Sequence, residues 1–333
     1  MRDTVEVQKV QCQEVDDLVS RLSGLSAVGV SLRPKRGCGT LSSISLGDVS
    51  VQVLRSAPML MLADSSPGRT TLLKVTDGAG QARWNGGRLA SSRVAVCDAS
   101  RRYEAIYPDD FACLMLSFGD AANDRIAPKA SCVEFGEGVA SGAVAEEEAG
   151  VAALRELDRI SHAVEDTLAG NPDLLMNAEA ARGLRASILD AAEAVLTPSE
   201  PMPRRSARSV RARQHLVHAA DDYLRANATR PVYMEELCAA LGTSATRLHQ
   251  AFHATFGMSP HRYLKLRRMG MVRGMLLSRS GPWHSVKAAA LSHGFWHLGQ
   301  FAHDYRGLYA ELPSETLARA RAATDGVADL GTQ

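Results

Sequence analysis

The 333-residue sequence lacks any apolar run approaching the ~18 residues that a membrane helix needs. Its longest runs are short ones such as Met59–Ala63 and Phe111–Leu116. The opening segment MRDTVEVQKVQCQEVDD has no apolar signal-peptide core, so a cytoplasmic chain with no membrane partner is expected. Six cysteines, at 12, 38, 97, 113, 132 and 238, form no CxxC pair, which argues against structural zinc and against a secreted disulfide framework. Residues 1–161 contain no histidine, excluding a front half that holds a metal through clustered imidazoles. Gly78-Ala79-Gly80 completes no GxGxxG and precedes no helix, so no nucleotide loop is read there. No Ser-His-Asp arrangement is legible either. The expectation is a non-enzyme without catalytic residues, metal or other cofactor.

What is present is ordinary in amount and uneven in distribution. Hydrophobic residues at 45% and charged residues at 23% describe a globular chain, and the length suits two domains at about 150 residues each. The formal charge of +1 conceals a division: residues 1–200 carry 20 Lys+Arg against 28 Asp+Glu, and residues 201–333 carry 18 against 9. Nine of the ten histidines lie beyond residue 214. An acidic front and a basic back point to a nucleic-acid partner for the back; a solvated basic face is the plainer explanation of the same numbers.

From about residue 40 to 118, short apolar runs alternate with turn residues. Val49, Val51 and Val53 alternate with polar neighbours, and Met59–Ala63, Thr71–Val75, Arg93–Cys97 and Phe111–Phe118 follow. Ser-Ser-Pro-Gly at 65–68, Asp-Gly at 77–78 and Asn-Gly-Gly at 85–87 separate them. This spacing predicts a β-sandwich or barrel, preceded by a short amphipathic helix carrying Val15, Leu18, Val19 and Leu22.

Near residue 146 the period changes. Leu154, Leu157, Ile160, Val164 and Leu168 mark one helix, and Asn171-Pro172 signals the start of a second that runs to about Leu196. The pair reads equally as a dimerisation hairpin or as a cover on the sheet. Residues 197–209, TPSEPMPRRSARS, have linker composition. The expected organisation is a β-rich domain over 1–145, helices over 146–196, a linker over 197–209, an all-α domain over 210–320 and a tail over 321–333.

In the all-α part, Met234, Leu237, Cys238 and Leu241 share one face of a short helix. Gly242-Thr243-Ser244 then turns into Ala245–Phe256, whose apolar side carries Leu248, Ala251, Phe252 and Phe256. Helix, glycine turn and polar-faced helix form a helix-turn-helix, whose second helix reads the major groove. The pattern recurs, with Val286, Ala289 and Ala290 before His293-Gly294 and a helix through 297–308 after it. Pro260–Ser278 joins the two units; some 18 helical residues span about 27 Å, a length suited to placing two such helices in successive major grooves.

At these residues the segment 211–320 resembles the DNA-binding domain of AraC/XylS-type transcriptional regulators. The resemblance rests on Leu237, Ala240, Leu241-Gly242, Leu248, Phe252, Phe256-Gly257, Ser259-Pro260, Tyr263-Leu264, Arg268-Met269, Gly294-Phe295, Phe301, Tyr305, Glu311 and Pro313. The stretch 294–317 is similar to the branch of ethanolamine-operon and aromatic-catabolism regulators. The family usually has glycine where this chain has Ala310, so a helix end wanting a left-handed residue is expected to be strained there.

The resemblance implies an activator that binds double-stranded DNA, contacts RNA polymerase and is switched by a small-molecule effector in its front half; a homodimer through 146–196 is the expectation if the two amphipathic helices there form a dimerisation hairpin. It places Thr246, His249, Gln250 and His253, then Leu298, Gly299, Gln300 and His303, toward the base edges. Arg247, Lys265, Arg268, Lys287 and Arg306 are assigned to phosphates. His249-x3-His253 and His293-x3-His297 have metal-ligand spacing but no third ligand nearby, so groove contact or packing is the reading preferred. Two alternatives stand beside regulation by a metabolite. One is a redox switch at Cys38, with Lys35 and Arg36 to lower its thiol pKa. The other is a DNA-repair alkyltransferase on the same DNA-binding fold, which the scattered cysteines disfavour.

Overall fold

The computed structural model describes residues 5–33, 38–78, 81–85, 87–91, 93–97, 102–126, 132–134, 144–196, 204–227, 230, 232–278 and 285–328. The chain forms two compact units, one of residues 1–29 and 37–208, the other of residues 30–36 and 209–333.

The first unit is built on two antiparallel sheets. The larger is ordered β1 (Val5–Cys12), β3 (Gly39–Leu46), β4 (Val49–Ser56), β11 (Phe111–Phe118), β6 (Thr70–Asp77), β9 (Arg93–Cys97) and β12 (Cys132–Glu134). The smaller is ordered β2 (Leu25–Ser31), β5 (Met59–Ser65), β10 (Arg102–Tyr107), β7 (Arg83–Trp84) and β8 (Gly87–Arg88). The expected fold class, α+β with a sandwich-like N-terminal domain, two following helices and an all-α C-terminal domain, is what the structure has. Strands β1 and β2, which flank helix α1 (Val15–Ser20), lie outside the span that alternation picked out.

Both faces of the larger sheet are covered, and β4 shows how. Val49, Val51 and Val53 pair with Phe118, Leu116 and Leu114, and this row joins the buried cluster formed with Leu157, Ile160, Ile188 and Ala192. The intervening Leu54 joins Met61, Tyr107, Cys113 and Met115 in the core between the sheets. The polar alternates Ser50 and Gln52 are buried too, contrary to the half-solvated strand that their alternation suggests. Gln52 is satisfied locally: its Oε1 accepts from Ser23 N at 2.7 Å and its Nε2 donates to Arg21 O at 2.9 Å. A buried amide with both ends bonded escapes the desolvation penalty of an orphan.

Helix α2 (Asp120–Ile126) follows the last long strand, and α3 (Val144–Gly170) and α4 (Ala178–Leu196) cover the sheet. The buried faces of α3 and α4 pack on the sheet and on each other. Buried Lys74 of β6 pairs with Asp158 of α3, and Arg55 of β4 makes a two-pronged bond to Glu165 at 2.8 and 2.9 Å. The second helix does not start at Asn171-Pro172. Those residues open a 3-10 turn over Pro172–Met176, and α4 starts anew behind Asn177, whose Oδ1 accepts from Glu179 N at 2.8 Å and Ala180 N at 3.3 Å.

From residue 204 onward the described elements are all helices: α5 (Arg204–Ala226), α6 (Met234–Ala240), α7 (Ala245–Phe256), α8 (Pro260–Leu277), α9 (Val286–Ser292), α10 (Leu298–Tyr309) and α11 (Pro313–Ala328). Residues 204–209 of the expected linker are helical, because arginine and alanine are good helix formers even without an apolar stripe; the division between the units falls at 208/209, and 197–203 lie outside the described residues. Residues 321–328 continue α11 and are not tail. Among the described residues no helix is long and apolar enough to cross a membrane.

Candidate nucleic-acid interface

Each half of the second unit is a short helix, a glycine turn and a longer helix. Gly242 after α6 and Gly294 after α9 have φ of 58° and 77°, the left-handed backbone that lets the chain reverse in so few residues. Helix α7 is capped by Ser244, whose Oγ accepts from Arg247 N at 3.3 Å; Ser259 caps α8 and Ser285 caps α9 in the same way, at 3.3 and 3.1 Å. The first half closes around Leu237, Leu248, Phe252 and Phe256, with Tyr263 stacked on Phe256 at 4.6 Å between ring centroids. The second closes around Met269, Val272, Ala289, Ala290, Phe301 and Tyr305.

Helix α8 belongs to both cores, and a buried ion pair anchors it in each. Arg267 Nη2 lies 2.8 Å from Asp221 Oδ1 of α5, with both side chains below one-tenth exposed. Arg273 Nη1 lies 2.7 Å from Glu311 Oε1. Burial alone would push the Glu311 carboxyl up, but bonds from Thr316 and Arg273, with the charges of Arg273 and Arg319, hold it below the usual carboxylate range. A connector fixed in this way sets the separation of α7 and α10.

The polar faces of those helices are open. Thr246, Arg247, His249, Gln250 and His253 are all exposed on α7, and the His249 and His253 rings stack at 6.0 Å. On α10, Gly299, Gln300, His303 and Arg306 are exposed. Nothing lies within 4 Å of where a Cβ on Gly299 would stand, so another backbone can approach closely there. Lys287 on α9 is also exposed. His293 is buried at the end of α9 with Nδ1 3.2 Å from Ala289 O, while His297 stands exposed before α10, so this pair sits on opposite sides of a turn.

Three of the expected contact residues stand differently. Leu298 is half-buried and packs on the second core, as its apolar side chain dictates. Arg268 is drawn inward: its guanidinium lies 5.4 Å from the centre of the Phe295 ring, its Nε donates to Leu264 O at 3.4 Å, and burial lowers its pKa. Lys265 is bound to Asp304, Nζ to Oδ2, at 2.6 Å, and Asp304 Oδ1 also accepts from Gln300 Nε2 at 3.1 Å. Arg247, Lys287 and Arg306 remain as exposed cations of the assigned set.

Two further features of this surface are legible in the sequence. Between Glu236 and Asp304 the sequence holds eight Lys+Arg and not one Asp or Glu, a uniform sign across both turns and all of α7 and α8. Trp296, immediately before the His297 that opens α10, is 63% exposed. Its isolation between helices was the available signal.

The alternative of a redox switch at Cys38 gains no support from its surroundings. Cys38 is buried, its Sγ donates to Cys12 O at 3.4 Å, and burial together with the neighbouring Cys12 pushes its thiol up to about 12. A thiol so placed is not a thiolate at neutral pH. Lys35 and Arg36, invoked to activate it, lie outside the described residues.

Two helix-turn-helix units hung on one shared helix, with both second helices polar on their open faces, define a double helix-turn-helix DNA-binding domain. Residues 237–319 match the family described as "Helix-turn-helix domain". The "XylDLEGF operon transcriptional activator" of Pseudomonas putida is 32% identical over 99 residues, 30% of this chain and 31% of that protein. The "XylDLEGF operon transcriptional activator 2" of the same organism is 33% identical over 96 residues, 29% of this chain and 61% of that protein. The "Probable thc operon regulatory protein" of Rhodococcus erythropolis is 34% identical over 102 residues, 31% of each chain. The C-terminal domain is therefore of the AraC/XylS type. The match spans less than two thirds of each of these relatives, and the family model leaves the N-terminal unit outside it. The solved "AraC-like transcriptional activator CuxR" aligns with 79% of this chain and 94% of its own at 15% identity, with a TM-score of 0.35, too low to bear on how the units are arranged.

Proposed function

We propose that this protein is a sequence-specific, DNA-binding transcriptional activator, switched by a small molecule bound in its N-terminal unit and acting through RNA polymerase at a promoter. The observation that carries the DNA-binding part is the pairing of two open polar helices, α7 and α10, on one connector held at its middle by the Arg267–Asp221 pair and near its C-terminal end by the Arg273–Glu311 pair. A single chain then presents two reading heads in fixed relation, which suits an asymmetric site over two successive major grooves.

Within that reading, Gln250 and Gln300 are the groups suited to a bidentate bond to adenine, and His249, His253 and His303 to guanine N7 or phosphate. Thr246 offers a hydroxyl and Gly299 a close approach. Arg247, Lys287 and Arg306 neutralise phosphates, and Lys265 joins them once Asp304 lets it go. With so few base-reading side chains, DNA shape carries part of the specificity. A homodimer would let two chains occupy tandem sites, formed through parts of the first unit other than the sheet-facing sides of α3 and α4.

The test is selection of bound duplexes from a random pool by the full chain, then footprinting and salt titration. An asymmetric site of about two helical turns, with affinity falling by roughly 0.9 log units per neutralised phosphate for each log unit of salt, is expected. No enriched sequence, or a palindrome bound one half per chain, would refute it. Adding amines and carboxylates to the same titration tests the effector: a ligand that binds the folded form raises its melting temperature by mass action.

A further inference from the structure

An exposed tryptophan is costly to leave in water, because it carries one of the largest apolar surfaces of any side chain. Trp296 is more exposed, at 63%, than any other large hydrophobic residue among those described. Its neighbour Phe295 is occupied, packed 4.9 Å from Phe301 and beneath the Arg268 guanidinium. The second core is therefore complete without Trp296, and its exposure is not a packing failure of the turn.

Its place is specific. The exposed positions along α10 are 299, 300, 303, 306 and 307, and 296 and 297 extend that open surface one turn beyond the helix N-terminus. In a helix-turn-helix it is this end of the second helix that enters the groove between two phosphate strands. The first unit has no counterpart: Thr243, half-buried, holds the corresponding place before the cap of α7. The surrounding sequence from 237 to 303 has no carboxylate, so its electrostatics favour an anionic polymer over a protein groove lined with basic residues.

Resting on the DNA-binding reading above, we propose that Trp296 is a DNA-backbone contact particular to the second unit. Its indole ring packs against the deoxyribose bordering the groove that α10 enters, and its Nε1–H donates to an adjoining phosphate oxygen. A backbone contact of this kind positions α10 without reading sequence. It carries no charge, so it adds affinity without releasing a counterion.

That combination has a signature no cationic or base-reading residue shares. Fluorescence anisotropy of the full-length protein with a labelled mixed-sequence duplex, at several salt concentrations, provides the test. Trp296→Ala should raise Kd by roughly 3- to 10-fold, the size of one lost aromatic contact, with the salt slope unchanged. Trp296→Phe, which keeps the ring and loses the N–H, should fall between. The quenching of tryptophan emission by DNA in the wild type should diminish in Trp296→Phe. Thermal stability of both variants should match the wild type, since the side chain is exposed. Wild-type affinity in Trp296→Ala, or undiminished quenching in Trp296→Phe, overturns the proposal while leaving the DNA-binding reading intact. A wild-type protein that binds no duplex even at low salt overturns that reading itself.

Discussion

Arg273 and Glu311 meet at 2.7 Å with the arginine only 3% exposed, tying the last turns of α8 to the loop between α10 and α11. Around them Thr316 Oγ1 donates to Glu311 Oε1 at 2.6 Å, and Tyr305 Oη lies 2.9 Å from Thr316 Oγ1. Removing one partner of a buried pair strands the other charge and costs about 3–5 kcal/mol. Arg273→Met should therefore destabilise the C-terminal unit by about 3 kcal/mol, the low end because Arg319 remains beside Glu311. Arg319→Met, on a side chain 46% exposed, should cost less than about 1 kcal/mol. Thermal unfolding of the two variants provides the comparison.

The same carboxylate predicts acid sensitivity. The folded pKa of Glu311 is held below its ordinary value. Its stabilisation is thus fully present above the unfolded pKa of about 4.3 and is lost as pH falls through the folded value. Between about pH 5 and pH 3 the wild type should lose more stability than Glu311→Gln. Parallel curves for the two proteins would show that the pair contributes no such dependence.

Ala310 ends α10 at φ 57°, a left-handed conformation that glycine adopts without the Cβ clash. Ala310→Gly should stabilise the chain by about 0.5–1 kcal/mol, the relief of roughly 1–2 kcal/mol being partly offset by glycine's freer unfolded state. A melting temperature lower than that of the wild type would contradict this.

Asp304 holds both Lys265 and Gln300. Asp304→Asn should free the cation and remove a negative charge from the face of α10. Binding to mixed-sequence duplex should tighten, and the salt slope should steepen by up to about one phosphate equivalent. Discrimination among selected sites should change little, because the asparagine carbonyl oxygen can still accept from Gln300 Nε2. Competition binding against mixed-sequence DNA measures both effects.

Cys12 and Cys38 are buried with thiols raised to about 11 and about 12, chiefly by burial, and Cys97 and Cys113 are buried as well. All four should resist iodoacetamide at pH 8 until the protein unfolds, while half-buried Cys238 reacts in the native state. Mass spectrometry of the alkylated native protein reads this directly. Peroxide-dependent loss of DNA binding that vanishes in Cys38→Ser would revive the redox reading.

The elements that sequence disclosed well are those with a single strong local cause. Ser244, Ser259 and Pro260 start helices α7 and α8 as written, because a capping hydroxyl or a first-turn proline acts within four residues. Asn171-Pro172 misled for a related reason: the signal was sound, but it opened a 3-10 turn, and the competing cap at Asn177 began the long helix. The arginine-rich residues 204–209 misled by composition, since helix propensity needs no apolar stripe.

In the interface, the amphipathic period separated Phe252 and Phe301, inside, from Gln250 and Gln300, outside, and helical geometry requires that division. Which exposed cations are available to DNA was not periodic information. Arg268 and Arg306 are equally basic in sequence, yet one lies over the Phe295 ring and the other stands in solvent. That choice depends on residues about 27 positions away in the chain meeting at one point. Likewise Ser50 and Gln52 read as solvent-facing by alternation, until two sheets and two helices enclosed both sides of their strand. Sequence by itself determined the helix-turn-helix units and their charge, because caps, glycine turns and apolar period are local. Only tertiary structure decided which polar groups remain open, because burial and ion pairing depend on segments far apart in the chain coming into contact.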